Sequence, residues 1–263
     1  MNELPPVSCM CLTYGRPAYI VEESIECFLK QDYEGEKELI VLNDFDKQTY
    51  VFEHPQVKII NIPQRFKTVG EKRNAAASLC SHDILFVWDD DDVFLPHRIS
   101  YTIQQMQEHK RYENFFKPAR ALTLNDNVIS GPKGNLFHSG GAWSRKFFDE
   151  VGGYPHMGSG QDWGLEVKFE KSDKFEKKNY NKIPIEEIYY IYRWSGTGTF
   201  HLSGFGQDKK NKETGNKKVE EYIQRKIEKG EVPTGEIFLK PHWSVDYLQM
   251  VTDYIKITLK NKA

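Results

Sequence analysis

The stretch Ile84-Leu85-Phe86-Val87-Trp88-Asp89-Asp90-Asp91-Asp92-Val93-Phe94-Leu95-Pro96 constrains this chain more than any other. Five apolar residues in a row are too few for a buried helix and read as a strand covered on both faces. Four carboxylates follow at once, and Pro96 stops the strand from continuing as a central one. In an open α/β sheet, ligands sit just beyond the carboxyl ends of the strands. Four adjacent aspartates repel one another, so a buried cluster needs protons or a cation. Oxygen ligands of this kind suit Mg²⁺ or Mn²⁺ shared with substrate phosphates. The competing reading is an acidic loop in water; a buried strand that aims the run at a sheet edge favours the functional one.

The same alternation of strand and helix fills the residues before this hinge. Residues 7–13 form a first buried strand, ended by Tyr14-Gly15-Arg16-Pro17, and Pro17 opens a helix over 19–30 whose Ile20, Ile25, Phe28 and Leu29 share a face. Residues 38–42 form a second strand ending at Asn43-Asp44, and residues 57–62 a third closed by Pro63. A helix over 69–80 leads into the hinge strand. This order predicts an α/β fold with a mostly parallel central sheet flanked by helices.

Beyond the hinge the pattern loosens. A helix is predicted over 99–109, strands at 115–121 and 128–129 around Asn125-Asp126-Asn127, and a turn at Gly140-Gly141 into a strand. A short helix over 145–151 follows. Gln161-Asp162 enters another helix, with Asp162 near its positive end. Residues 187–194 make a tyrosine-rich strand, and residues 195–206 a glycine-rich loop holding His201. From Gln207 the composition turns to lysine and glutamate, and residues 217–229 and 244–259 read as amphipathic helices. The chain thus divides into one domain over 1–206, split near residue 98, and a C-terminal helical extension over 207–263.

A net charge of -2 argues against wholesale nucleic-acid binding. Local lysine clusters at 171, 174, 177 and 178, and at 209, 210, 212, 217 and 218, form a solvated surface or hold an anionic acceptor. Cys9, Cys11, Cys27 and Cys80 fit neither a zinc spacing nor a secreted framework and read as reduced core thiols. No leader pattern opens the chain and no run approaches the roughly 18 apolar residues that span a bilayer. A cytoplasmic protein without a transmembrane segment is the expectation.

Five landmarks fall in order: Thr13-Tyr14-Gly15-Arg16-Pro17, Asn43-Asp44, Gly70-Glu71-Lys72-Arg73-Asn74, Asp89-Asp90-Asp91-Asp92 and Gln161-Asp162. Each is weak alone; together they resemble the family 2-like glycosyltransferases with the GT-A fold, over roughly residues 6 to 202. The resemblance implies a nucleotide-sugar donor held by residues 1–98, an acceptor held by 99–206, and a divalent metal between them. Thr13, Arg16, Asp44 and Arg73 match nucleotide-contact positions. The Asp-x-Asp pattern maps onto Asp89-Asp90-Asp91, and Asp162 matches the catalytic base. Two positions depart from the family's pattern: Gln161 replaces the glutamate of its Glu-Asp pair, and Asn43 an aspartate.

Sugar transfer needs a stabilised leaving diphosphate, a deprotonated acceptor and alignment. On the resemblance, Asp91 holds Mn²⁺ or Mg²⁺, Asp89 and Asp90 serve the donor, and His201 completes the metal site; a lone surface histidine is the bland alternative. Arg73 is a cation near the phosphates or an ordinary helix charge. Asp162 takes the acceptor proton in a displacement that inverts the anomeric centre, or caps the following helix. Trp143, Trp163 and Trp194, with Gln161, form an acceptor platform or pack in the core.

The activity the resemblance implies is a metal-dependent inverting transfer from a nucleoside-diphosphate sugar, a UDP-sugar, to an acceptor hydroxyl. The acceptor is a glycan, a protein, a lipid-linked glycan or a modified nucleic-acid base. One rival is a sugar-phosphate nucleotidyltransferase, which needs a glycine-rich phosphate loop where this chain has a single glycine, Gly15. The other is a non-catalytic glycan- or nucleic-acid-binding protein, against which the retained acids argue.

Overall fold

The computed structural model describes residues 4–108, 115–134, 138–174, 180–181, 183–194 and 212–260. From the N-terminus the elements are β1 (Val7–Thr13), α1 (Ala18–Leu29), β2 (Lys37–Asn43), β3 (Gln48–Val51), β4 (Val57–Asn61), α2 (Val69–Leu79) and β5 (Ile84–Val87). After the hinge come β6 (Val93–Phe94), α3 (Arg98–Glu108), β7 (Phe115–Pro118), β8 (Arg120–Asn125), β9 (Val128–Gly134) and β10 (Ala142–Ser144). Then follow α4 (Arg145–Glu150), α5 (Gln161–Glu170), β11 (Tyr180–Asn181) and β12 (Tyr190–Trp194), and finally α6 (Lys212–Glu228), β13 (Gly235–Phe238) and α7 (Tyr247–Lys260).

The central sheet has the order β11-β7-β10-β5-β1-β2-β4. β5, β1, β2 and β4 run parallel, whereas β10 is antiparallel to both β5 and β7. Strand β1 shows why two layers of helix form. Its Cys9 and Cys11 join Val21, Ile25 and Phe28 of α1 on one side, and Met10 joins Ala76 and Ala77 of α2 on the other. That is the period of two expected of a strand buried on both faces. All four cysteines are buried and free. In β5, Leu85, Phe86 and Val87 are fully buried. Each such side chain contributes about 1.5–3 kcal/mol relative to exposure, which fixes the register of the strand that feeds the hinge.

The register also places the loops. Thr13 lies opposite Asn43, so β1 and β2 end level and their loops open on one edge of the sheet. The β5 ladder stops at Val87 opposite Met10, and the acidic run leaves the sheet beside the Arg16 loop. Helix α2 starts with a capping box in which Thr68 and Glu71 satisfy each other's backbone N–H groups. Its second residue must be glycine: a Cβ on Gly70 would lie 1.9 Å from the Pro155 carbonyl oxygen.

A smaller sheet, β6-β12-β8-β9, packs beside the first. The strand expected from residue 187 begins at Tyr190, because Ile185–Glu187 forms a 3-10 turn after Pro184. The C-terminal extension holds α6 and α7, and adds a strand that the sequence reading did not contain. β13 pairs in parallel with β3, Gln48 opposite Gly235 and Val51 opposite Phe238. Tyr247 and Val251 of α7 belong to the main core cluster. Among the described residues no helix is long and apolar enough to cross a membrane.

Candidate active site

The four aspartates are held differently from one another. Arg16 grips Asp90 with two hydrogen bonds, Nε and Nη2 each donating at 2.8 Å, and Nη2 also reaches Asp91 at 2.9 Å. One buried guanidinium is thus shared by two buried carboxylates. Burial and the neighbouring Asp91 charge push the Asp90 carboxyl above its ordinary value, although Arg16 pulls the other way. Asp92 turns inward: Tyr190 donates its hydroxyl at 2.8 Å and Arg193 its backbone N–H at 3.1 Å. Arg193 also donates from Nε to the Asp91 carbonyl at 2.8 Å and ion-pairs with Glu23, tying the hinge to α1.

Asp89 accepts from Arg73 of α2 at 3.1 Å and from the Ser139 hydroxyl. Its burial would raise the carboxyl, yet Arg73 and Ser139 more than offset that and hold it below the usual aspartate value. The Arg16 loop is pinned from below, its carbonyl accepting from Gln48 Nε2 at 2.8 Å and Tyr50 Oη at 3.1 Å. Within that loop Gly15 has φ of 59°, in the left-handed region that favours glycine. Asp44, at the end of β2, pairs with Lys72 of α2 at 2.5 Å and accepts from Phe66 N–H at 2.9 Å. Lys72 also donates to the carbonyl of Thr13 at 2.6 Å, so one buried lysine joins the two loop stems. Burial lowers its pKa against the pull of Asp44.

Helix α5 brings Asp162 to the same region. The N-cap is Gly160, so Asp162 is not the capping residue; it lies in the first turn, where its Oδ1 accepts from Trp163 N–H at 2.8 Å. The charge of Asp162 is felt by Arg73 and by Tyr154. Gln161 is buried, and its Oε1 has no hydrogen-bond partner among the described residues. Such an orphaned acceptor is costly unless something donates to it.

One turn after Asp162, Glu166 accepts from Lys117 Nζ at 2.6 Å and bonds His138 Nδ1 at 2.8 Å. His138 Nε2 in turn lies 2.7 Å from the Tyr154 hydroxyl, and the Arg73 guanidinium sits 5.6 Å from the Tyr154 ring centre. Burial opposes ionisation of Glu166, but His138 and Lys117 prevail and bring its pKa down to about 2. His138 and Ser139 are neighbours in sequence, so one short 3-10 turn braces both α5 and Asp89. None of Lys72, Lys117, His138, Ser139 or Glu166 was singled out as a site residue from sequence; Lys72 stood within a quoted motif, and that was its only signal.

The tryptophans part company. Trp163 is 73% exposed and Trp194 41% exposed, the latter stacked on Tyr192. Trp143 corrects the expectation of an acceptor platform. It is 1% exposed, because β10 runs between β5 and β7 and turns the indole in among Phe148, Tyr154 and Phe169. Thr13 is also buried, at the end of β1. His201 and the glycine-rich loop around it lie outside the described residues. Among the described residues no group of three or more metal-binding side chains is already gathered.

A cavity of about 850 Å³ adjoins this centre, lined by the loops after β1, β2 and β4 and by α6. It shares the Tyr14–Arg16 loop with the acidic hinge through Tyr14.

The model of the family described as "Glycosyl transferase family 2" matches residues 8–119. An uncharacterized glycosyltransferase of Methanocaldococcus jannaschii is 27% identical over 131 residues, 48% of this chain and 45% of that protein. Among solved structures, S. aureus TarS superposes with a TM-score of 0.54 at 14% identity, over 84% of this chain and 43% of that chain. TarS 1-349 in complex with UDP gives 0.54 at 13% identity, over 85% and 72%. TarS 1-349 in complex with UDP-GlcNAc gives 0.53 at 14% identity, over 85% and 73%. The chain therefore spans less than half the length of the curated relative and of the longer TarS chain. The matched residues include β1, β2, α2 and the acidic hinge: residues 8–119 are similar to glycosyl transferase family 2, and the chain has the α/β fold of GT-A glycosyltransferase structures.

Proposed function

We propose that the chain is a metal-dependent, inverting glycosyltransferase that moves a sugar from a nucleoside-diphosphate donor, a UDP-sugar, to an acceptor hydroxyl. One observation carries this reading: at the carboxyl edge of a parallel sheet, buried Asp90 and Asp91 share Arg16, and Asp90 remains pushed up. A buried cluster of hard oxygen donors, one of whose carboxyls stays raised in spite of an adjacent arginine, fits Mg²⁺ or Mn²⁺. Asp91 would hold the ion, with His201 as a further ligand, and the ion when bound would neutralise the charge growing on the departing diphosphate. The UDP and UDP-GlcNAc complexes of TarS support the choice of uridine donor.

The remaining work falls to the chain's own side chains. Arg73 and Asp89 position the donor, with Asp90 and Arg16 fixing the loop beside it. Thr13 and Asp44 shape the nucleoside end. Asp162 accepts the proton of the acceptor hydroxyl as that oxygen attacks from the face opposite the nucleotide. Gln161 offers its orphaned Oε1 to a sugar hydroxyl. Exposed Trp163 and Trp194 stack on the acceptor, which favours a glycan, free or lipid-linked, over a protein or a modified nucleic-acid base. Residues 1–98 serve the donor and 99–206 the acceptor, with 207–263 as an extension.

The test is a panel of nucleotide sugars incubated with the protein and Mn²⁺, following release of the nucleoside diphosphate. One donor should turn over, and Asp162→Asn should lower turnover by about 10²-fold or more with donor affinity unchanged. Absence of release from every donor, or full turnover by Asp162→Asn, would contradict the assignment.

A further inference from the structure

We propose that α6 forms one wall of the pocket for the donor's nucleobase and that Gln224 reads the edge of that base. This deepens the donor reading above and rests on it.

The cavity beside the acidic hinge is lined by Tyr14, Asp44, Pro63 and Arg65 from the sheet edge and by Ile223 and Gln224 from α6. Its volume of about 850 Å³ falls within the ~300–1,000 Å³ of small-molecule sites. Three loops that leave neighbouring parallel strands converge on it, which is where open α/β sheets take their ligands. The loop that lends it Tyr14 also carries Arg16, two residues on, to the aspartates. A nucleoside in the cavity would therefore have its diphosphate end on the side of the hinge.

The lining suits a flat, polar-edged ring. The Arg65 guanidinium lies 4.3 Å from the Tyr14 ring centre, and Phe45 meets Tyr14 edge-on at 5.0 Å, a ready stacking surface. Ile223 supplies an apolar wall, and Asp44, Lys47 and Gln224 supply polar edges.

The way α6 is seated separates what holds the helix from what faces a ligand. Ile223 and Val219 are buried against Phe45 and Val232 in an apolar cluster of their own. Ile223 also sits directly over Gly15, where a Cβ would come within 2.6 Å of its Cδ1. By contrast, Lys47, Arg65 and Gln224 hold exposed contacts at the cavity, while Asp44 is tied to Lys72 beneath them. Lys47 donates to Gln224 Oε1 at 2.8 Å, and Arg65 pairs with the more than half-exposed Glu220 at 2.9 Å. Contacts of that kind add little to stability and exchange readily for a ligand. Apolar burial fixes the wall, while the Gln224 amide, which accepts from Lys47 and donates from Nε2 to Glu228 at 3.2 Å, is held by exposed contacts that a base edge would replace.

The test is calorimetric titration of UDP, CDP, GDP and ADP in the presence of Mn²⁺, with melting transitions as the control for folding. Gln224→Trp, at a partly exposed helix position, fills the cavity and should weaken the preferred nucleotide at least tenfold without lowering the melting temperature. Gln224→Ala should change the ratio of affinities between the preferred nucleotide and the others about fivefold or more, whereas Asp91→Asn should weaken all four alike. Wild-type affinity and ratios in both Gln224 variants would overturn the role of α6 and leave the donor reading standing. Failure of the wild type to bind any of the four would overturn both.

Discussion

Two buried carboxylate sites lie on either side of the turn at His138 and Ser139, and they are built to opposite ends. At Glu166 a single carboxylate meets Lys117 and His138, and its pKa falls to about 2. At the hinge, Asp90 and Asp91 divide one arginine, and burial drives Asp90 upward. The first carboxylate is held well down by Lys117 and His138 and behaves as a brace; at the second, burial and a neighbouring carboxylate hold Asp90 up in spite of Arg16. A buried acid cluster is read as functional by that balance, not by its acid count.

The comparison breaks most visibly at the hinge. Asp91→Asn should lower Mn²⁺-dependent affinity for a nucleoside diphosphate by about 10²-fold or more in calorimetry, while the melting temperature holds or rises as repulsion is relieved. A fall in melting temperature with binding intact would make the hinge another brace. Glu166→Gln should do the reverse. It should destabilise the protein by on the order of 2 kcal/mol, read as a drop of several degrees in thermal unfolding, with nucleotide affinity unchanged. Glu166 is largely buried, its side chain 15% exposed, so solvent screening removes only part of that figure.

The smaller effect is in pH. The folded pKa of Glu166 is depressed from 4.5 to about 2, so its contribution is present above about pH 4.5 and is lost as pH falls toward 2. Melting curves across that window should show the wild type losing its margin over Glu166→Gln. Parallel curves at all pH values would deny the brace its charge.

Much of the donor half was legible because its signals are local. The apolar run into Asp89–Asp92 and the alternating thiols of β1 each lie within a few residues. What escaped is what depends on distant partners. Glu166 sits 28 residues from His138 and 49 from Lys117, and on a helix marked only by Gln161-Asp162 at its start it reads as a solvent charge. Trp143 follows the Gly140-Gly141 turn on a strand whose neighbours lie far off in sequence, and β10 enters the sheet antiparallel between two strands and buries it. The pairing of β3 with β13 joins two four-residue segments at opposite ends of the chain, too short to carry a pattern of their own.

The central claim is that the acidic hinge captures a divalent cation beside the donor diphosphate. Anomalous diffraction at the manganese edge, from crystals grown with Mn²⁺ and UDP, tests it most directly. The account predicts a peak within coordinating distance of the Asp91 carboxylate and next to the diphosphate. Bound UDP with the manganese peak elsewhere, or with none at the hinge, would contradict it.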